Sequence, residues 1–261
     1  MYQHHKETMK NILEKLKVQD EVLGILLTGS IAHGFETSKS DVDIMIIVSE
    51  KDYKKRTEMK ELTYWENECC TYEEGYIDGK YISVDFMENV AMIGSEPARY
   101  AFDGAVILYS KIKGLIELLE KITRYPVQKK EENIKRFFAQ LQGWKWYSEE
   151  AIKHNNEYLL NHSISNLVLF GGRLILAYNE ILYPYHKWFI KRVEKADKKP
   201  EDIMEIINNV LSKKDKQSID RFYECIINFA DWNVNQGSWT SQFVSDSELN
   251  WLNGNTPICD I

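Results

Sequence analysis

Apolar positions change their period several times within the first hundred residues, which predicts a mixture of helices and strands. Residues 4–18 repeat apolar side chains at helical spacing, and continuous apolar runs follow that are typical of buried strands. Farther on, alternating patterns flank Asp78-Gly79, a dipeptide that predicts a hairpin turn. The predicted strands cover residues 22–27, 42–48, 68–76, 80–86 and 105–109. This half of the chain is therefore expected to form a mixed sheet with helices packed on it.

From Lys111 onward the pattern becomes helical, and strand patterns are almost absent. The predicted helices cover residues 112–122, 134–144, 159–178, 186–197, 201–212 and 215–235. Such a succession of helices predicts a helical bundle. With the boundary near Pro126, we predict an α+β protein of two domains, a mixed-sheet domain over 1–125 and a helical bundle over 126–261.

Charge and composition narrow the functional classes. The chain has 33 basic and 40 acidic residues and a net charge of −7, which argues against a protein whose main role is to hold a nucleic-acid backbone. The N-terminus lacks the apolar core of a signal peptide, and no run reaches the roughly 18 apolar residues of a membrane span. The four cysteines show neither metal-site nor disulfide spacing. We expect a cytoplasmic protein.

A glycine and a serine close the first apolar run. Gly29-Ser30 follows the predicted strand 22–27, at a point where a helix is expected to begin. Free backbone N–H groups at such a point favour a phosphate. Gly29 permits close approach of the backbone, and the Ser30 hydroxyl is a donor to phosphate oxygens. An ordinary strand-to-helix turn with a serine cap is the alternative interpretation.

Two aspartates open the second apolar run. Asp41 and Asp43 are two positions apart, so on a strand their side chains point to the same face. Paired carboxylates favour a hard cation such as Mg²⁺, which takes oxygen ligands and bridges to substrate phosphates. Asp85, on the predicted strand 80–86, is the expected third carboxylate, because a charge in so apolar a strand requires a partner. A solvated strand end and a salt-bridged structural aspartate are the alternatives.

These residues resemble the DNA polymerase beta-like nucleotidyltransferase superfamily. The similarity consists of Gly29-Ser30, ten intervening residues that end at Ser40, then Asp41-Val42-Asp43 and a later aspartate. It covers about residues 20–90. With its helical half, the chain is most similar to the two-domain small-molecule transferases that modify aminoglycoside or lincosamide antibiotics. The resemblance implies transfer of a nucleoside monophosphate, AMP from ATP first of all, to an acceptor hydroxyl with release of pyrophosphate.

The resemblance also implies a role for each matching residue. Gly29 and Ser30, with Ser40 beside the aspartates, would bind the nucleotide. Asp41 and Asp43 would ligate one or two Mg²⁺ ions. Asp85 would ligate the second ion or accept the proton of the attacking hydroxyl. Paired metal ions activate the attacking oxygen and neutralise phosphate charge in such transfers.

Further candidates come from the helical half. Lys187 is a candidate for binding the triphosphate, because related two-domain transferases use basic residues from their helical part. The candidates for a general base acting on the acceptor are Glu149, Glu150 and Glu180. For all four residues a solvated helix surface is the alternative interpretation. His33, beside Gly34, is interpreted as a loop residue and is left out of the site.

We therefore predict a cytoplasmic, magnesium-dependent nucleotidyltransferase that acts on the hydroxyl of a small molecule, with antibiotic resistance as its expected role. A protein-adenylylating transferase of the toxin–antitoxin type and a non-catalytic nucleotide-binding regulatory module are the alternatives. The basic runs are interrupted by acids, so nucleic acid is not an expected partner. Formation of a homodimer is a further alternative, because some antibiotic-modifying relatives build their site across two subunits.

Overall fold

A five-stranded mixed sheet organises the N-terminal half of the protein. The computed structural model describes residues 1–234, 237, 239–252 and 254, and it divides into two compact units, residues 1–124 and 125–261. The strands are β1 (Val22–Leu27), β2 (Val42–Val48), β3 (Thr63–Glu66), β4 (Ile77–Ile82) and β5 (Val106–Ser110). Their order is β3-β4-β2-β1-β5, in which β2 and β4 run parallel and the other neighbours are antiparallel.

The helices of this unit connect the strands and cover the sheet. They are α1 (Gln3–Leu16), α2 (Gly29–Ala32), α3 (Glu50–Met59), α4 (Val84–Ile93), α5 (Glu96–Tyr100) and α6 (Leu115–Thr123). A serine precedes three of them, and the side chains of Ser49, Ser83 and Ser95 accept hydrogen bonds from the first turns of α3, α4 and α5. These caps satisfy backbone N–H groups that have no partner inside the helix and so fix where each helix begins.

Strands β1 and β2 are apolar apart from Asp43, near the start of β2, because both faces of the sheet are buried. Ile25 and Ile46 pack in one hydrophobic cluster, with α1, whereas Leu26 and Ile47 pack in a second cluster, with α4 and α6. Successive residues of a strand point to opposite faces, so each face receives alternate side chains. The continuous apolar runs of the sequence are explained by this double burial.

The predicted hairpin about Asp78-Gly79 is wrong. Both residues lie inside β4, and the antiparallel partner of β4 is β3, so the chain reverses between residues 67 and 76. A Cβ at Gly79 would lie 2.9 Å from the Tyr64 Cβ and 3.2 Å from the Ile44 side chain, on the two neighbouring strands. The glycine therefore serves close packing between strands rather than a turn.

All regular elements among the described residues of the second unit are helices. Its α-helices are α7 (Lys130–Lys153), α8 (Glu157–Tyr178), α9 (Phe189–Glu194), α10 (Ile203–Lys213), α11 (Lys216–Ile227) and α12 (Trp239–Ser247). The α+β class, with a flanked mixed sheet followed by a helical region, is thus confirmed. The predicted helix over 215–235 ends at Ile227, and residue 235 lies outside the described residues.

Helix α8 runs through the core of the helical unit. Its length and composition alone would suit a membrane span, but half of its most apolar window is buried in the protein. A Cβ at Gly171 would lie 2.6 Å from the Phe222 ring, so α8 and α11 pack closely at this point. These contacts are those of a core helix in a bundle. Among the described cysteines, Cys69, Cys70 and Cys225 are free thiols, and Cys259 lies outside the described residues.

Candidate active site

Helix α2 is a single turn whose first residue lies directly against β2. Gly29 has a φ of +65°, and a Cβ at this position would overlap the carboxylate of Asp43 and lie 2.6 Å from its Cβ. The backbone N–H of Thr28 donates to the Asp43 carbonyl at 2.9 Å, which holds the turn on the strand. Only glycine satisfies both the left-handed conformation and the close approach. The structure therefore places two of the predicted site residues, Gly29 and Asp43, directly against each other.

The hydroxyl of Ser30 is buried at the same turn. Ser30 is 5% exposed, and its Oγ has no hydrogen-bond partner among the described residues. A buried hydroxyl without a partner costs free energy, so such groups usually have a functional reason. A ligand oxygen placed at this turn would supply the missing partner.

Three aspartates lie near the starts of β2 and β4. Asp43 on β2 pairs in register with Asp78 on β4, and residues in register on parallel strands direct their side chains to the same face. Asp41 lies two residues before Asp43, and between them the Val42 N–H donates to the Tyr76 carbonyl at 3.1 Å. All three aspartates are partly buried. The structure thus adds Asp78 to the predicted pair.

The pKa of the Tyr76 hydroxyl reflects the negative charge of the three aspartates. The carboxylate of Asp41 raises the pKa of the Tyr76 hydroxyl most strongly, followed by partial burial and by a hydrogen bond to Asp41. The charges of Asp43 and Asp78 raise the same pKa further. Ionisation of a phenol is opposed by negative charge nearby. The charges of all three carboxylates therefore act on the Tyr76 hydroxyl, just before the start of β4.

Asp85 does not lie with these aspartates. It occupies the first turn of α4, exposed, because Ser83 ends β4 and caps the helix. Ile82 of β4 pairs with Ile47, four residues beyond Asp43, which is about 13 Å along the sheet. The predicted strand over 80–86 is wrong in its second half, and Asp85 lies beyond the opposite end of β4 from Asp78.

Sequence analysis missed Asp78 because an Asp-Gly dipeptide is typical of hairpin turns. A signal was nevertheless present. Ile77, Gly79 and Tyr81 are buried and alternate with Asp78 and Lys80, which is the period of a half-buried strand. Placing residues 77–82 on a strand parallel to β2 puts an aspartate beside Asp43.

Comparison with known proteins identifies the family of the chain. The sequence profile of a family described as nucleotidyltransferase domain matches residues 9–159, more than half of the chain. The chain belongs to the nucleotidyltransferase domain family. No curated protein matches the chain.

Among solved structures, the nucleotidyltransferase is similar to a nucleotidyltransferase-like protein from Exiguobacterium sibiricum 255-15. The identity is 9%, the TM-score is 0.45, and the alignment covers 98% of this chain and 83% of that chain.

Ser40 has a different environment from Ser30. Its Oγ accepts a hydrogen bond from the Thr37 N–H at 2.9 Å, and its carbonyl accepts one from the Tyr72 hydroxyl at 2.7 Å. His5 also approaches this carbonyl, with Nε2 at 3.1 Å. These contacts order the loop that leads into Asp41, so the side chain of Ser40 is already engaged within the protein.

The candidates of the helical unit lie on its surface. Lys187 is exposed on the 3₁₀ helix His186–Trp188, with Nζ 5.2 Å from the centre of the Trp188 ring. Each of the three glutamates forms an ion pair within this unit. The pairs are Glu149 with Lys145 at 2.6 Å, Glu150 with Lys153 at 3.3 Å and Glu180 with Lys130 at 2.8 Å. Their roles in catalysis stay predictions.

The site offers carboxylate oxygens as possible metal ligands, but the described side chains do not enclose an ion. Within the described part of the chain, no three histidine, cysteine, aspartate or glutamate side chains are grouped closely enough to enclose an ion. Mg²⁺ is usually held by one or two carboxylates together with substrate phosphates. The partly buried carboxylates of Asp41, Asp43 and Asp78 fit that kind of binding.

Proposed function

We propose that this nucleotidyltransferase moves a nucleoside monophosphate, AMP from ATP first of all, onto a hydroxyl of a small molecule and releases pyrophosphate. The observation that carries the proposal is the Gly29–Ser30 turn seated on Asp43, beside Asp41 and Asp78. Transfer of a charged phosphoryl group requires hydrogen-bond donors for the phosphates and carboxylates that hold the neutralising cation, and this turn with its neighbouring aspartates offers both kinds of group.

In the proposed reaction the acceptor hydroxyl oxygen attacks the α-phosphorus of the nucleotide. A bond forms between them while the bond from the α-phosphorus to the pyrophosphate oxygen breaks. The hydroxyl proton passes to a carboxylate, for which we propose Asp78, because it lies in register with Asp43. The Ser30 hydroxyl and the adjoining backbone hold the triphosphate, and orientation supplies a large part of the rate.

Asp41 and Asp43, with Asp78 next to them, are the residues that would hold magnesium. Bound with the nucleotide, Mg²⁺ neutralises phosphate charge and lowers the barrier to attack by the acceptor. Carboxylates are the oxygen ligands that this ion prefers. Their partial burial lowers the local dielectric, which strengthens their attraction for a cation.

An antibiotic of the aminoglycoside or lincosamide class is the proposed acceptor, which makes this a cytoplasmic resistance enzyme. The helical unit fused to the transferase unit favours a self-contained enzyme over one that modifies a partner protein. Lys187 and the glutamates of the helical unit are retained as candidates for contacts with the nucleotide and the acceptor.

Pyrophosphate release tests the proposal directly. We would supply each of the four NTPs with Mg²⁺ against a panel of aminoglycosides, lincosamides and other polyols, with Asp43→Ala as the inactive control. Release that requires an acceptor and disappears in Asp43→Ala would support the proposal and name both substrates. Calorimetric binding of nucleotide and magnesium without release would favour a protein acceptor or a regulatory module. If the protein showed no nucleotide binding and no pyrophosphate release, the site assignment would be contradicted.

A further inference from the structure

His33 is buried at the end of the α2 turn, although its position in the sequence suggested an ordinary loop residue. Its side chain is 6% exposed. The ring nitrogen Nδ1 lies 2.7 Å from the carbonyl oxygen of Gly29, the residue that contacts Asp43. The backbone N–H of His33 donates to the same carbonyl at 3.2 Å. His33 therefore makes two hydrogen bonds to the Gly29 carbonyl, one from its side chain and one from its backbone.

The hydrogen bond fixes the chemistry of the ring. A carbonyl oxygen accepts and never donates, so Nδ1 must carry the proton that it shares with Gly29. The other ring nitrogen, Nε2, lies 3.7 Å from Oδ2 of Asp103. Nε2 itself has no hydrogen-bond partner among the described residues. The ring is thus held by the hydrogen bond from Nδ1 to Gly29.

Aromatic packing and a close backbone contact restrain the turn further. The His33 ring stacks on Tyr100 with 4.8 Å between centroids and on Phe35 with 5.9 Å. Gly104, which follows Asp103, has a φ of +69°, and a Cβ there would lie 3.1 Å from the Ala32 carbonyl oxygen. The segment after α5 therefore supports the end of α2 from outside. A four-residue turn needs such support, because one helical turn is not stable alone.

The geometry of a peptide bond links this support to the site. The Gly29 carbonyl and the Ser30 N–H belong to one planar trans peptide, in which they point in opposite directions. Fixing the carbonyl against His33 therefore fixes the Ser30 N–H on the opposite side. The buried Ser30 side chain branches from the same backbone.

We propose that His33 is a positioning residue for the nucleotide: its Nδ1–H holds the peptide between Gly29 and Ser30 so that the Ser30 N–H and hydroxyl face the triphosphate. The inference rests on the proposed function, because it concerns the same site. His33 acts through Gly29 and does not itself touch the substrate.

Two substitutions separate the hydrogen bond from the packing. His33→Phe keeps an aromatic ring between Tyr100 and Phe35 but loses the donor to Gly29. His33→Asn loses the ring but keeps an amide N–H at the distance of Nδ1. We expect His33→Phe to raise the Kd and KM for ATP about tenfold, the effect of one well-placed hydrogen bond. His33→Asn should restore both constants to within about threefold of the original chain.

The full-length variants would be compared by calorimetry with ATP and Mg²⁺, by kcat and KM for pyrophosphate release, and by Tm. A merely structural role predicts a lower Tm and kcat with an unchanged KM for ATP. An unchanged KM in His33→Phe, or equal loss in both variants, would overturn this inference while leaving the proposed function intact. Failure of the unmodified chain to bind ATP would overturn the proposed function and this inference together.

Discussion

Gly29 lies so close to Asp43 that a side chain at position 29 would occupy the space of the Asp43 carboxylate. The contact joins the turn after β1 to the beginning of β2, so the proposed phosphate-binding residues and the proposed metal ligands form one rigid unit. Neither residue reaches this position by local preference alone. The adjacent antiparallel strands β1 and β2 bring them together, and the hydrogen bond from Thr28 to Asp43 sets their distance.

The first prediction concerns this contact. Gly29→Ala should abolish nucleotide transfer, because the added methyl group displaces the Asp43 carboxylate and strains a backbone with positive φ. Gly34→Ala is the matched control, since Gly34 has a similar φ of +67° but no described atom lies within 4 Å of a Cβ there. Both variants should lose about 1 kcal/mol or more of unfolding free energy from the conformation alone.

Urea unfolding measures the loss of stability in both variants, and pyrophosphate release measures the loss of nucleotide transfer. Gly34→Ala is expected to retain transfer at the level of its folded fraction. Comparable activity in Gly29→Ala and Gly34→Ala would show that the contact with Asp43 is not needed for the reaction.

The second prediction separates two aspartates. Asp78→Asn should reduce kcat for transfer by about a hundredfold or more, because it removes the proposed proton acceptor beside Asp43. Asp85→Asn should leave kcat nearly unchanged, because Asp85 is exposed on α4 at the far end of β4. Both substitutions remove one negative charge and preserve side-chain shape. Steady-state kinetics with saturating ATP is the measurement, and the opposite ranking would return Asp85 to the site.

The sheet strands that the sequence predicted best are those buried on both faces. Val22–Leu27 and residues 44–48 are apolar runs, and each packs into two hydrophobic clusters. Thr63–Glu66 escaped prediction because it is a short strand at one end of the sheet order, with exposed Trp65 and little alternation. The predicted strand over 80–86 extends past the end of β4 because the apolar residues continue there, whereas the Ser83 cap begins helix α4 at Val84.

The site was predictable where its residues are neighbours in sequence. Gly29, Ser30, Asp41 and Asp43 lie within one short segment and were identified from their spacing. Asp78 and His33 depend on tertiary contacts, namely the parallel register of β2 with β4 and the packing of α2 against the segment after α5. Sequence spacing does not determine which strand lies beside β2 or which segment packs against α2. Asp78 and His33 could therefore be assigned to the candidate site only from the fold.

The third prediction concerns the buried Ser30 hydroxyl. Ser30→Ala should weaken ATP binding about fivefold, the value of one hydrogen bond to a phosphate oxygen. The same change should leave Tm unchanged or raise it, because the hydroxyl has no partner among the described residues. Ser40→Ala is the control, since the Ser40 hydroxyl accepts from the Thr37 N–H and its loss should lower Tm. Calorimetric titration with ATP and thermal unfolding provide the two readouts. A lower Tm with unchanged ATP affinity in Ser30→Ala would assign the hydroxyl a structural role.

The last prediction is a pH dependence of stability that arises away from the site, where Lys15 of α1 pairs with Glu66 of β3. Burial raises the pKa of Glu66, but the hydrogen bond and charge of Lys15, with hydrogen bonds from the Glu68 N–H and the Tyr64 hydroxyl, lower it more, so the net pKa lies below its ordinary value. A carboxyl whose pKa is lower in the folded than in the unfolded state stabilises the protein above its unfolded pKa. This contribution is lost as pH falls through the folded pKa.

Lys15→Met removes the strongest lowering influence and leaves the Glu66 carboxylate buried without its cation. The free energy of unfolding should therefore differ most between the original chain and Lys15→Met near neutral pH. The difference should narrow between about pH 5 and pH 3, where Glu66 takes up a proton. Lys17→Met is the control, because Lys17 pairs only with the exposed Glu14 among the described residues and such pairs contribute little. Urea unfolding at a series of pH values measures all three chains, and a difference that stays constant with pH would exclude the Lys15–Glu66 pair as its origin.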